Sequence, residues 1–275
     1  MDPAPLSLLQ RARGAGTIAT VQRGDRTTLH TLYQDGCCKI RLPNTHGDSL
    51  EAVLINTAGG ITGGDHLQWS ATVAAGGRLS VTTQACERSY RSLGDDAQVQ
   101  TRLNVGVDAH LDWLPQETIL FATSRLNRQL DIDLAEGASL TAVEAVLLGR
   151  DAMGEDAADA RLHDSWRIRR NGRLIHAEAT ALGGIGTERS ALSLLAGNRA
   201  FATIVHVGST ETATAAKARR IEAVLSGSGF IGMSQLGERL CIRAMAASGL
   251  ALRRLIVPVL SELTGPGGLP RLWHL

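Results

Sequence analysis

The chain has 275 residues, 44% of them hydrophobic and 20% charged. That composition excludes a largely disordered chain and leaves enough apolar residues for a sizeable core. Twenty-eight Lys and Arg offset 27 Asp and Glu, a net charge of +1, which argues against a dedicated nucleic-acid binder and predicts little charge repulsion between copies.

The opening segment, MDPAPLSLLQRARG, lacks the basic region and apolar run of a signal peptide. The most apolar stretch, Leu250 to Leu263, is interrupted by Arg253, Arg254 and Pro258, so it does not read as a membrane span. Cys37, Cys38, Cys86 and Cys241 have neither the density of a disulfide framework nor the spacing of a zinc site. A soluble, cytoplasmic chain with reduced thiols is expected.

In chain order, the first marked feature is NTAGGITGGD, residues 56–65. Gly59-Gly60 and Gly63-Gly64 permit two sharp reversals. No Lys follows them, so this is not a phosphate loop; the glycines instead deliver the Asp65 carboxylate to a defined place. His66 is next to it, and none of the eight histidines stands in an HxH or HxxxH pair.

Four alternating segments follow: LQWSATVAAGGRLSVTTQ (67–84), VQTRLNVGVDAHLDWLPQ (99–116), QLDIDLAEGASLTAVEAV (129–146) and SWRIRRNGRLIHAEAT (165–180). Each places an apolar residue six positions before a leucine: Val73/Leu79, Val105/Leu111, Leu134/Leu140 and Ile168/Leu174. Period-2 alternation on both sides of a short turn predicts hairpin-like strand–turn–strand units. A lone hairpin is marginal, so the units are expected to stack on a shared apolar face. The expected fold is mainly β: an elongated, β-helix-like stack.

The last third changes character. Ala202 to Val207 reads as a strand, Glu211 to Leu225 as a helix rich in Ala, Lys, Arg and Glu, and Gly227 to Gly237 as a loop. Leu240 to Met245 reads as a strand, and Leu250 to Leu263 as a second helix that Pro258 kinks or stops. About two helices are therefore expected in the C-terminal third, with the surface from Ile221 onward suited to docking a partner. No linker or charge run marks a boundary, so residues 1–275 read as a single domain.

The repeat register brings oxygen-bearing side chains together. Four places after the key leucines stand Thr83, Pro115, Glu144 and Glu178; one place further stand Gln84 and Gln116, with Glu117 next. Stacked units would gather these at one end of the array. Glu144 sits among apolar residues, where a carboxylate is costly without a partner. Such a file could pass a divalent transition metal without trapping it, because carboxylate and amide oxygens hold Ni²⁺ less tightly than imidazole or thiolate. The alternative is a carboxylate-based hydrolase using Glu144 with Glu117 or Glu178, which needs two acids about 5–10 Å apart. Arg88 and Tyr90 alternate onto one face, with Arg91 on the other, as an anion or partner contact.

NTAGGITGGD (56–65), TQACERSYRS (83–92), LPQETILF (114–121), LLGRDAMGE (147–155) and the closing LPRLWHL (269–275) occur together and in order. In combination they resemble the UreD (UreH) family of urease accessory proteins over nearly the whole chain. Many members have prolines where this chain has Asn56-Thr57-Ala58, and Arg where it has His66. The resemblance implies a non-catalytic scaffold that binds apo-urease. With UreF and the GTPase UreG it would help install the dinuclear nickel centre, with homodimerisation through the complex. The implied fold is a β-helix-like stack with a pair of helices and an internal passage for nickel. No tightly bound cofactor is implied, only Ni²⁺ in transit. Carried over by position, Asp65, Glu117, Glu144 and Glu178 would form the transient nickel path. Gly59, Gly60, Gly63, Gly64, Gln84, Arg88, Tyr90, Arg91 and Gln116 would support it.

Overall fold

The alternation read from the sequence becomes two facing sheets. The computed structural model describes residues 10–44, 48–150, 153–157, 159–183, 189–225 and 230–274. The opening nine residues and Gly227 to Gly229 of the expected loop lie outside the described residues. In chain order the strands are β1 (Arg13–Arg23), β2 (Arg26–Gly36), β3 (Cys38–Arg41), β4 (Leu50–Asn56), β5 (His66–Val73), β6 (Arg78–Thr83), β7 (Glu87–Ser89), β8 (Ala97–Val105), β9 (His110–Leu114), β10 (Thr118–Leu120), β11 (Arg125–Leu134), β12 (Ser139–Leu148), β13 (Arg161–Arg170), β14 (Arg173–Gly183), β15 (Ala200–Val207), β16 (Ile231–Leu236) and β17 (Arg239–Ala246). One sheet runs β14-β13-β11-β8-β5-β1-β2, and the other β16-β17-β15-β12-β9-β6-β4-β3, with β10 and β7 paired beside β12. Together they form a mainly β, solenoid-like stack of about four turns.

Three of the four repeat units are not hairpins. Their two arms lie in different sheets, and each arm pairs in parallel with the matching arm of the next unit: β5 with β8 and β8 with β11, β6 with β9 and β9 with β12. The turn between arms is a corner of the coil. Val73 and Leu79, Val105 and Leu111, Leu134 and Leu140 thereby meet from opposite sheets, each at most 3% exposed, a burial that an isolated hairpin could not give them. The fourth unit is a true antiparallel hairpin. Asn171 and Gly172 both have positive φ, 49° and 78°, the pair of left-handed residues that a two-residue turn of the right twist requires. Leu174, the fourth leucine of the repeat, is consequently 50% exposed. Glu178 is therefore not the register equivalent of Glu144.

Two helices lie in the C-terminal part: α1 (Glu211–Leu225) and α2 (Gly249–Thr264). Thr214, Ala218 and Ile221 form a buried stripe on α1, and Leu252, Ile256, Val259, Leu260 and Leu263 one on α2, at the spacing of a single helix face. These stripes join Leu114, Val143, Ile204 and Ile242 in one apolar cluster on the outer side of the second sheet. Much of the apolar surface from Ile221 onward is thus spent on the fold itself. Ser248 caps α2, its hydroxyl accepting from the Ala251 N–H at 3.2 Å. The helix runs past Pro258 to Thr264 rather than stopping. Pro258 and Arg254 both face solvent, where water can satisfy the carbonyl that the missing N–H leaves free. Ile231 to Leu236, expected as loop, is an edge strand paired only with β17. No helix among the described residues is long and apolar enough to cross a membrane.

Candidate functional site: a charged seam between the sheets

Inward-facing positions of the stack are mostly apolar, and the charged exceptions gather in one part of it. On β11 the buried face reads Leu126, Arg128, Leu130, Ile132, Leu134, and on β13 Leu162, Asp164, Trp166, Ile168. Arg128 lies opposite Asp164, which lies opposite Thr180 on β14. On the facing sheet Glu144 lies opposite Thr203, and Thr203 opposite Arg243. Two rows of polar side chains therefore confront one another across the interior.

Arg128 joins the rows. Its Nε and Nη2 donate to the two carboxylate oxygens of Asp164 at 3.2 and 2.7 Å. Nη1 donates to Thr118 Oγ1 at 3.1 Å and to Glu144 Oε2. Trp113 Nε1 donates to the other Glu144 oxygen at 3.1 Å. Arg128, Glu144 and Asp164 are each 6% exposed. Two carboxylates share one guanidinium, so the ionised triad carries one uncompensated negative charge. Burial outweighs the pull of Arg128 and raises the Glu144 carboxyl above its usual range.

Beside the triad is a cavity of about 60 Å³, lined among others by Thr101, Gln116, Thr118, Arg128 and Glu144. A larger pocket of about 210 Å³ lies nearer the surface, lined by Gln84, Cys86 and Arg88. Leu54, Trp69, Thr83 and Glu87 line both spaces, so Glu87 stands at the neck between them. Its carboxylate accepts from Asn56 Nδ2 at 3.2 and 3.3 Å. Burial pushes the Glu87 carboxyl up to about 7, against the lowering effect of the Asn56 hydrogen bonds.

Glu178 reaches the same interior from the other sheet, at its far edge. Arg243 Nη1 and Nη2 donate to its two oxygens at 2.9 and 2.7 Å. The Glu178 side chain is 10% exposed and that of Arg243 is 59% exposed, which makes this pair the outer end of the seam. His176 Nε2 is 3.7 Å from Glu178, and burial lowers the His176 pKa.

Asp65 and Glu117 are engaged elsewhere. Asp65 Oδ1 accepts from the Ala12 N–H and Oδ2 from the Thr62 N–H, both at 2.8 Å; its carboxylate ties the glycine loop to the strand entering β1. It lines a third, outer pocket of about 620 Å³ with Cys37, Thr62 and Tyr90. The loop needs its glycines for close approach: a Cβ on Gly60 would strike the Tyr90 ring, and one on Gly63 would strike Ser92 and the Asp95 carbonyl. Gly59 and Gly64 supply positive φ, 78° and 86°. Glu117 is 1% exposed and holds Arg253 of α2, its Oε1 accepting from Arg253 Nε at 2.7 Å; Cys86 Sγ donates to Oε2 at 3.3 Å. The Gln116 side-chain oxygen accepts from Arg253 as well. Arg253 in turn lies 5.1 Å over the Trp273 ring, and Trp273 Nε1 donates to the Leu114 carbonyl at 3.0 Å. The LPQETILF and LPRLWHL motifs are thus one clamp for α2.

Gln84, Arg88, Tyr90 and Arg91 are exposed around the outer pockets. Tyr90 meets Phe121 edge-on at 5.1 Å, and Arg150 lies 4.6 Å over the Phe121 ring, so three of the sequence motifs meet here. Among the described residues no group of three or more His, Cys, Asp or Glu is placed to hold a metal ion. Of the acids singled out by the sequence, the structure brings Glu144 and Glu178 to the seam; Asp65 and Glu117 are held apart from it. Glu87, Arg128, Asp164 and Arg243 were missed. A signal for two of them was present: Arg128 and Asp164 occupy the apolar phase of strongly alternating strands.

Fold and seam define a β-solenoid with an apolar interior crossed by a few buried, paired charged groups. The family model for the UreD urease accessory protein matches residues 12–274. A "Urease accessory protein UreD" of Chelativorans sp. (strain BNC1) is 56% identical over 276 residues, covering 100% of this chain and 97% of that protein. The proteins of that name from Rhizobium etli, 46% identical over 97% of this chain and 96% of their own length, and Sinorhizobium medicae, 45% identical over the whole of both, match likewise. The chain belongs to the UreD family of urease accessory proteins. Its relatives are named as accessory proteins and not as enzymes, in keeping with a non-enzymatic role.

Proposed function

We propose that this chain is the nickel-conducting scaffold of urease maturation: it binds apo-urease, works with UreF and the GTPase UreG, and passes Ni²⁺ along the seam between its sheets. The single observation that supports this most is the run of enclosed polar groups from the neck at Glu87, past the cavity at Glu144, to Glu178 at the far edge. Buried charges are costly, and a scaffold needing only stability would do as well with an apolar filling. Oxygen ligands hold Ni²⁺ loosely enough for it to move on. Asp65 and Glu117 support the passage from outside it, by fixing the glycine loop and α2. Ni²⁺ is cargo in this reading, and no resident cofactor is required.

The test is activation of apo-urease by the chain with UreF, UreG, GTP and nickel. Glu144→Gln and Glu178→Gln are expected to assemble normally and to lower activation at least fivefold. Normal activation by both variants would remove the seam as the route. Failure of assembly in both would make these acids structural.

A further inference from the structure

The acid at the centre of the seam is not free. Arg128 Nη1 occupies one Glu144 oxygen and Trp113 the other. The bonds of Arg128 are unequal, however. Asp164 holds the guanidinium through two nitrogens, Nε and Nη2, a forked pairing that fixes its plane. Glu144 holds it through Nη1 alone. The link to Glu144 can therefore be broken without releasing Arg128 from β13.

Beside that link lies the cavity of about 60 Å³, ample for a water molecule. A second observation marks it as a place for a ligand. Gln116 lines the same cavity and is 5% exposed, and its side-chain nitrogen has no hydrogen-bond partner. Such a buried donor calls for an oxygen to face it, such as that of a water held by a cation. Charge points the same way, because the ionised triad is one positive charge short.

We propose that Arg128 is a displaceable cap on Glu144: its Nη1 stands in for a cation while the seam is empty, and an arriving divalent cation takes its place on the carboxylate while Asp164 retains the guanidinium. Arg128 is then a positioning residue that keeps the interior acid satisfied between passages and stops a metal from lodging there. This rests on the transit reading for its purpose, but the exchange itself is a property of the isolated chain.

The test is Ni²⁺ binding to the full-length chain at pH 7.5, by equilibrium dialysis against nickel chloride. Arg128→Met removes the competitor and is expected to bind Ni²⁺ at least tenfold more tightly than the unsubstituted chain. Adding Glu144→Gln is expected to abolish the gain. A folded Arg128→Met chain that binds no more tightly, or a gain that survives Glu144→Gln, overturns the proposal. Should Arg128→Met fail to fold, Arg128→Lys decides: lysine keeps the charge but cannot make the fork, so a gain of at least threefold is expected, and no gain overturns the cap. Urease activation separates the two readings. Tighter binding in Arg128→Met together with normal activation by Glu144→Gln keeps the cap and sinks the transit route. Loss of activation in Glu144→Gln with no gain in Arg128→Met does the reverse.

Discussion

The same two sheets enclose two different interiors. Towards the corner turns, Val73, Leu79, Val105, Leu111, Ile132, Leu140 and Ile168 fill the space between them, none more than 3% exposed. On β11 to β15, a few residues further from those turns, the space is taken by Arg128, Glu144, Asp164, Thr203 and Glu178, with Leu126, Val146 and Leu162 buried beyond them. The first region gains free energy by removing apolar surface from water. The second gives up hydration of its charges and recovers it only by pairing each acid with an arginine. Apolar burial on both sides of the seam therefore secures the fold, and the charged rung between them adds little stability of its own.

The largest effect is expected from Trp166→Ala, which empties a fully buried site beside the apolar region. It should lower the unfolding free energy by about 3–5 kcal/mol, read from chemical denaturation. A loss below about 1 kcal/mol would deny this region its role. Next is the triple change Arg128→Met, Glu144→Leu, Asp164→Leu. Replacing a buried ion triad by apolar groups should leave stability unchanged or raise it by about 1–4 kcal/mol, while urease activation is lost. A strong destabilisation would mean that the seam is structural after all.

A third prediction uses pH. The Glu87 carboxyl is raised from 4.5 to about 7 by burial. Above its unfolded pKa the unfolded chain loses this proton while the folded chain keeps it. Stability from this group therefore falls as pH rises from about 4.5 to about 7, by on the order of 3 kcal/mol in all. Glu87→Gln should remove that fall, seen as a flatter dependence of Tm on pH between 5 and 7.5 than in the unsubstituted chain. Identical slopes would place Glu87 in water rather than at the neck. The smallest effect is expected from Arg243→Lys, which keeps a cation beside Glu178 and loses only the forked pairing. The Arg243 side chain is more than half exposed, so stability should change by less than about 1 kcal/mol, and any loss of activation would then report on the seam's outer end.

Much of the fold was legible in the residues. Alternation with a leucine at each turn announced the stacked units, and Glu211 to Leu225 became a helix over those very residues, because both signals are local. What alternation does not encode is whether a turn folds an arm back beside its partner or across to a second sheet. That is why three units became coil corners, the fourth a hairpin, and Glu178 left its expected row. The site was half legible. Glu144 stood out as a charge among apolar neighbours, and Arg128 and Asp164 carried a different signal, a charge in the apolar phase of an alternating strand. Asp65 and Glu117 looked equivalent to Glu144 by residue type, yet backbone N–H groups claim the one and Arg253 the other.

Strand period, helix propensity and ordered motifs are written along the chain, and they suffice for the β-rich stack, the two C-terminal helices and membership of the accessory family. Which carboxylates share an interior, and which arginine answers each of them, follows from the packing of the coils alone. Arg128, Glu144 and Asp164 come from three different strands, and a partner across the gap between two sheets is set by how the coils stack, a quantity that no local pattern carries.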